Sequence, residues 1–361
     1  VFKLVGIDMK RVLKLLITSV FYYCGIVLLA KLLSSLSGKR LTILTFHRIT
    51  NPDRASIGLP SICLSRENFD SLLKFVLKHY TVISLEQYLT FAQNGRAARR
   101  RNYLILSFDD GYREMKEVAL PTLRKYDLPA VLFVPSDAID SGGYFWWDAA
   151  YELLSNSNSD SLALQQLREQ SESPVIASLE KSCRLLPVER KQAIFDFFET
   201  LQNASPDVRQ QYVDFLTRAY ERFRVNHSLP PIPSVLDWKE VDELQRSGIT
   251  IGSHTKSHQF LSTISGEAAS VELVESKRII KDRVGATVTA LSYPGGKYSE
   301  ETLKLAKEAG YACAVTTDSG LNSFKDDPFK LKRINIWDNK VSGRDGGFSK
   351  ALVAWHLFLI N

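Results

Sequence analysis

Short runs of β-branched and aromatic residues, LTILTF at 41–46, YTVIS at 80–84, YLILSF at 103–108 and AVLFV at 130–134, alternate with longer stretches. Runs this apolar have no polar face to offer to water, so they read as strands buried on both faces of a parallel sheet. Parallel neighbours need crossover connections, and the intervening stretches carry helical spacing. From Arg66 to Lys78, for example, Phe69, Leu72, Leu73, Val76 and Leu77 share one helical face, with Ser65 as the expected N-cap. The pattern resumes with GITIGS at 248–253, a helix ending at Arg283, the strand TALSY at 289–293, a helix from Glu300 to Ala309, and the strands ACAVTT at 312–317 and RINI at 333–336. Repeated units of this kind point to an α/β barrel or a doubly wound sheet.

Two segments fall outside that rhythm. Residues 148–235 contain the polar stretch SNSNSD, amphipathic patterns such as RKQAIFDFFETLQ, and a closing LPPIPS. They read as a helical insertion into one barrel loop, placed to shape or cover a cleft or to serve as packing alone. Residues 12–33, VLKLLITSVFYYCGIVLLAKLL, carry no charge from Leu15 to Ala30. A retained membrane anchor is the first expectation for them, ahead of an in-plane helix and a cleaved signal. Basic residues on both sides, Lys3, Lys10 and Arg11 before and Lys39, Arg40 and Arg48 after, leave its orientation open. The expected organisation is an anchor segment at 1–38 and a barrel domain at 39–361 that holds the insertion.

Charge and cysteine content narrow the partners. With 46 Lys and Arg against 40 Asp and Glu, and only Arg96, Arg99, Arg100 and Arg101 clustered, nucleic acid is not an expected partner. The four cysteines, Cys24, Cys63, Cys183 and Cys313, lie far apart with no Cys-x-x-Cys pair, which argues against a thiolate metal site or a dense disulfide framework.

Chemistry-bearing residues gather at strand ends. YLILSF runs into Asp109-Asp110-Gly111-Tyr112, where two adjacent carboxylates repel unless a cation or divergent side-chain directions separate them. Asp-Asp-Gly is equally an ordinary turn. GITIGS runs into His254-Thr255-Lys256-Ser257-His258, and histidines four apart on a helical turn can grip one metal ion. Two imidazoles and one carboxylate would leave a position open for water. A third strand end, Ser292-Tyr293-Pro294-Gly295-Gly296, forms a backbone turn able to offer an N–H to an oxyanion.

In this order, FDDGY, HTKSH and SYPGG resemble the motifs of the NodB-type polysaccharide deacetylases of carbohydrate esterase family four, over most of residues 40–340 apart from the insertion. The resemblance implies a distorted (β/α)-barrel with fewer than eight repeats. It also implies that Asp110, His254 and His258 bind a divalent metal and that Asp109 is the catalytic base. The opening strand LTFHRI with His47 is similar to the poly-N-acetylglucosamine deacetylase branch. Zinc is the default metal for such ligands, with cobalt, nickel or iron as alternatives.

Two departures from the family pattern shape further expectations. Ala290 stands where the family often has an Arg to steady the catalytic Asp, and Arg333 in RINI is the candidate substitute. No histidine lies between Phe324 and Asn339, where the family's general acid would be. His254 and His258 are assigned to metal, His79 and His227 fall in unfavourable places, and His356 sits in the apolar ALVAWHLFLI, so His47 at the first strand end is the candidate acid. The Tyr293 N–H is expected at the oxyanion. Tyr112, Pro294 and Gly295 are expected to meet substrate, with Trp146 and Trp147 stacking on sugar faces or packing in a core. The substrate implied is an N-acetylated glycan or glycolipid. The rivals are another C–N amide hydrolase using the same site and an inactive, membrane-tethered glycan-binding protein.

Overall fold

The apolar runs form strands because they have nothing to place in water: every residue of β1 (Leu41–Phe46) is buried. After it come β2 (Arg48–Thr50), β3 (Cys63–Ser65), β4 (Thr81–Val82), β5 (Tyr103–Phe108), β6 (Ala130–Val134), β7 (Ile249–Ser253), β8 (Ala290–Ser292), β9 (Cys313–Val315) and β10 (Ile334–Asn335). This computed structural model describes residues 9–27, 29–30, 41–51, 57–94, 101–156, 187–202, 204, 206–227 and 232–359. Two compact units divide the chain, one of residues 1–55, 61–141 and 235–361, the other of 56–60 and 142–234.

In the first unit a parallel sheet runs β10-β1-β5-β6-β7-β8-β9, with β4 also pairing β5. The stretch before β10 pairs with β9, through Leu331 N–H to Ala314 O at 3.2 Å and Thr316 N–H to Leu331 O at 2.9 Å, so the sheet curls into a half-barrel. Ile43, Ile105, Val131, Phe133, Cys313 and Val315 form one hydrophobic cluster, contributed by alternate positions along their strands. Register sets the tips level: Phe46 pairs with Phe108, and Val134 with Ser253. The carboxyl ends of these strands therefore share one rim, the usual position of an active site in β/α barrels.

The expected membrane anchor is not found. Among the described residues no helix is long and apolar enough to cross a membrane. The helix Met9–Tyr23 spans 15 residues and gives way to a turn at Cys24 and Gly25, where Gly25 takes φ 80°. Part of its apolar surface packs on protein: the Phe21 ring meets Trp355 edge-on at 5.2 Å, on the helix Lys350–Phe358. Arg11 donates to Asn339 Oδ1 at 3.1 Å, and Lys14 Nζ lies 3.3 Å from His356 Nε2. Residues 28 and 31–33 of the expected segment lie outside the described residues.

Several local expectations also shift. Ser65 precedes the helix Arg66–His79, yet it makes no side-chain cap and gives its hydroxyl to Asp338 at 3.0 Å. The run 80–84 contributes only the two-residue β4. A small parallel pair, β2 with β3, lies beside the main sheet.

The second unit is helical. Helices Trp146–Asn156, Pro187–Gln202 and Pro206–His227 enclose Leu153, Leu154, Ile194, Phe197, Leu201, Leu216 and Tyr220. Asp148 and Glu152 of the first helix accept the backbone N–H groups of Leu59 at 2.8 Å and Gly58 at 2.7 Å, and Tyr144 donates its hydroxyl to Glu221.

Candidate active site

The tip of β5 sends its two carboxylates in different directions. Asp109 N–H still bonds Phe46 O at 2.9 Å, continuing the strand, whereas Asp110 and Gly111 take φ 73° and 72°. A Cβ at Gly111 would also stand 2.9 Å from Ile139 Cδ1, so this turn needs glycine on two counts.

Asp109 is gripped from the barrel interior. Arg333 places Nη1 2.8 Å from Oδ1 and Nη2 2.7 Å from Oδ2, a fork-on-fork pair in which both side chains are buried. The guanidinium is itself fixed by Nε donating to Thr316 O at 2.8 Å and Nη2 to Ser292 Oγ at 3.1 Å. The Ser292 hydroxyl then donates to Asp109 Oδ2 at 3.2 Å. Burial alone would raise the pKa of Asp109, but the charges of Arg333 and His254 outweigh it and hold the carboxyl below its usual range.

Asp110 faces the histidines. His258 Nε2 is 3.3 Å and His254 Nε2 3.4 Å from Asp110 Oδ1, and the ligand atoms of all three residues lie within 4.8 Å of one another. The donor set fits a metal ion: separations of 3.3–3.4 Å are about the edge of a tetrahedron with arms of ~2.0–2.1 Å. The tautomer fits as well. His254 Nδ1–H donates to Ser292 O at 2.7 Å, which turns the Nε2 lone pair towards Asp110. Burial disfavours charge on His254, but Asp110 and Asp109 raise its pKa, whereas desolvation and the neighbouring His254 lower that of the half-buried His258. Asp109 Oδ2 stays 4.0 Å from His254 Nε2, adjacent to the cluster rather than inside it.

Other expected site residues divide. His47 follows the tip of β1, its Nδ1 is buried with no partner among the described residues, and a positive charge on it would favour the ionised form of both Asp109 and Asp110. Tyr293 needs correction, because its N–H donates to Val315 O at 3.2 Å and so is already engaged. In the same turn, Gly296 N–H goes to Tyr293 O and Lys297 N–H to Pro294 O, and Pro294 has none. Among the described residues this leaves the Gly295 N–H without an acceptor. Gly295 has φ 59°, and a Cβ there would sit 2.6 Å from the Phe260 ring.

Tyr112 is likewise corrected. Its side chain is fully buried under the Arg48 guanidinium, 5.7 Å from the ring centroid, and cannot present a face to substrate. Arg48 in turn pairs with Glu114 at 2.7 Å, with both side chains buried. Pro294 is buried and Gly295 exposed. Trp146 and Trp147 belong to the helical unit, half-buried, with Trp147 stacked on Phe145 at 4.3 Å and Trp146 edge-on to Phe198 at 5.4 Å. Their contacts are those of core residues. The roles of Ser292 and of the Arg48–Glu114 pair were not anticipated: Ser292 lies in the SYPGG motif, but its hydroxyl meets Asp109 only across the sheet, and Glu114 lies outside every motif.

Comparison with known proteins places these features in context. The family described as polysaccharide deacetylase matches residues 96–185 and 201–314. YxkH of Bacillus subtilis, named provisionally as a polysaccharide deacetylase, is 34% identical over 114 residues, 32% of this chain and 41% of that protein. The match thus spans less than half of that relative's length. Among solved structures, the Streptococcus pyogenes deacetylase PplD in complex with acetate superposes with a TM-score of 0.53 at 19% identity, covering 83% of this chain and 93% of that one. IcaB from Ammonifex degensii gives 0.54 at 15% identity, covering 88% and 97%. At such identities the likeness is one of fold.

Proposed function

The chain belongs to the polysaccharide deacetylase family, and we propose that it hydrolyses the N-acetyl group of an amino sugar in a polysaccharide or glycolipid, using a divalent metal with zinc as first choice. The observation that carries this reading is the division of labour at one strand tip. Asp110 joins two histidines in a ligand set, while Asp109 is held beside it by Arg333. Asp110, His254 and His258 would hold the ion. When bound, it would lower the pKa of a coordinated water towards about 7 and polarise the amide carbonyl.

The chain's own residues supply the remaining steps. Asp109, kept ionised by Arg333, accepts the proton of the attacking water at a carboxylate oxygen. Arg333 and Ser292 orient that carboxylate, so little reorganisation is needed when the proton arrives. The Gly295 N–H, in place of that of Tyr293, donates to the oxygen that gains charge as the carbonyl carbon becomes tetrahedral. His47 delivers a proton to the departing nitrogen, so the C–N bond breaks to give acetate and a free amine. The test is acetate release from N-acetylglucosamine oligomers together with elemental analysis of the purified protein. A protein that carries metal at this site yet releases no acetate from any N-acetylated glycan would refute the activity.

A further inference from the structure

The loop between the two histidines is conformationally expensive. Thr255 has φ 64° and His258 φ 61°, left-handed values that are unfavourable for L-residues and that a β-branched side chain tolerates poorly. Such backbone persists where its surroundings over-determine it. Between these residues, the N–H groups of Lys256 and Ser257 point inward, away from any strand partner, and form a concavity of the kind that binds anions.

The anion is supplied by the protein. Glu272, on the helix Gly266–Val284, is 8% exposed and accepts both N–H groups on Oε2, from Lys256 at 2.9 Å and Ser257 at 2.8 Å. Its Oε1 accepts the Ser257 hydroxyl at 2.6 Å. One helical turn further on, the fully buried Ser276 meets Ser253 Oγ at 2.8 Å, and that oxygen accepts the Thr255 N–H at 3.1 Å. Residues four apart on a helix share a face, so one helix face grips the loop at both ends of its left-handed turn. On the other side the loop is closed by the Ser136 and Asp137 N–H groups on Thr255 O and Lys256 O, at 3.3 and 2.9 Å. His258 is the next residue after Ser257, so its imidazole direction follows from where Glu272 holds that amide.

We propose that Glu272 is a positioning residue for the metal centre: without touching an ion, its carboxylate fixes the His254–His258 loop so that His258 Nε2 converges with Asp110 and His254. This rests on the reading of those three residues as metal ligands. It separates reach from charge. Gln at this position keeps the reach, because its amide oxygen can take both N–H groups and its NH2 can donate to Ser257 Oγ. Asp keeps the charge but retracts it by roughly 1.5 Å, one carbon–carbon bond.

The experiment measures zinc affinity of the metal-free full chain by competition with a chromogenic chelator, for wild type, Glu272→Ala, Glu272→Gln, Glu272→Asp and His254→Ala, with melting of each metal-free protein alongside. Glu272→Ala should weaken zinc about 10–100-fold, as loss of groups that orient ligands does. Glu272→Gln should recover most of that loss, and Glu272→Asp should fall nearer to Ala. A folded Glu272→Ala with wild-type affinity overturns the proposal, and so does Asp outperforming Gln, which would make the charge rather than the clamp responsible. If Ala does not fold, the Gln–Asp order decides. Wild type binding zinc no better than His254→Ala would instead remove the metal reading itself, and the clamp with it.

Discussion

Asp109 and Asp110 are joined by one peptide bond, yet each belongs to a different half of the site. On the arginine side, a guanidinium and a hydroxyl give Asp109 three hydrogen bonds, keep it charged and leave acceptor capacity on Oδ1. On the histidine side, Asp110 meets two imidazole nitrogens at 3.3–3.4 Å, held by loops with left-handed backbone. One half is neutralised by the protein itself. In the other, the donors converge on a common point, which is the geometry an ion would occupy. The difference between the two arises from the left-handed turn at Asp110 and Gly111, which aims neighbouring side chains at different partners.

The largest effect should come from the histidine side. Asp110→Ala, His254→Ala or His258→Ala, or treatment with a strong chelator, should remove metal and with it hydrolysis. Asp109→Asn should keep metal by elemental analysis while the rate falls about 10²–10⁴-fold. Metal loss from Asp109→Asn would erase the distinction between the halves.

His47, placed where a positive charge would act on both carboxylates, should matter next. His47→Asn should cost about 10²–10⁴-fold in acetate release and flatten the alkaline limb of the pH–rate profile. Near-normal turnover with metal retained would exclude it as the acid.

The arginine side should show its weight mainly as stability. Arg333→Met leaves a buried carboxylate uncompensated, and denaturant melts at neutral pH should show a loss of about 3–5 kcal/mol. The sign with pH follows from the lowered pKa of Asp109. Its contribution is present above the unfolded carboxylate pKa and is lost as pH falls through the folded one. Arg333→Met should therefore lack that acid-side loss, and its activity should decline at higher pH on the acid limb. An unchanged acid limb would show that Arg333 does not set the charge state of Asp109.

The smallest effect should come from a histidine outside both halves. Burial, with Lys14 and Lys340 nearby, lowers His356 to about 4. Its stabilising contribution is thus present above the unfolded value near 6.5 and is lost as pH falls towards 4, of order 1–3 kcal/mol. His356→Gln should flatten that part of the stability profile and leave acetate release unchanged. Altered turnover would bring His356 into the chemistry.

Much of this was legible in the chain because strand ends are local features. An apolar run of strand length followed by Asp-Asp-Gly or His-x-x-x-His puts those side chains at a strand end, and Arg333 in RINI was reached through the resemblance, as the substitute for the family arginine absent at Ala290. Tyr112 and the Tyr293 amide misled for a common reason. Proximity to a motif does not say whether a ring is buried or an N–H already bonded, and here Arg48 covers the one and Val315 takes the other. The hydrophobic stretch near the start misled differently, since hydropathy records apolar side chains without saying whether they meet lipid or Trp355.

By itself, the order of residues determined the α/β alternation, the family motifs and the types of side chain at each strand tip, all of which depend on neighbours within a few residues. Tertiary structure alone decided which of those groups meet. Glu272 looks like any helix-surface glutamate in GEAASVELVESKR until the helix docks and turns it under the histidine loop. Arg333 reaches Asp109 across 224 positions. Such contacts are set by sheet curvature and register, and no local pattern encodes either, because the partners become neighbours only after the strands between them have paired.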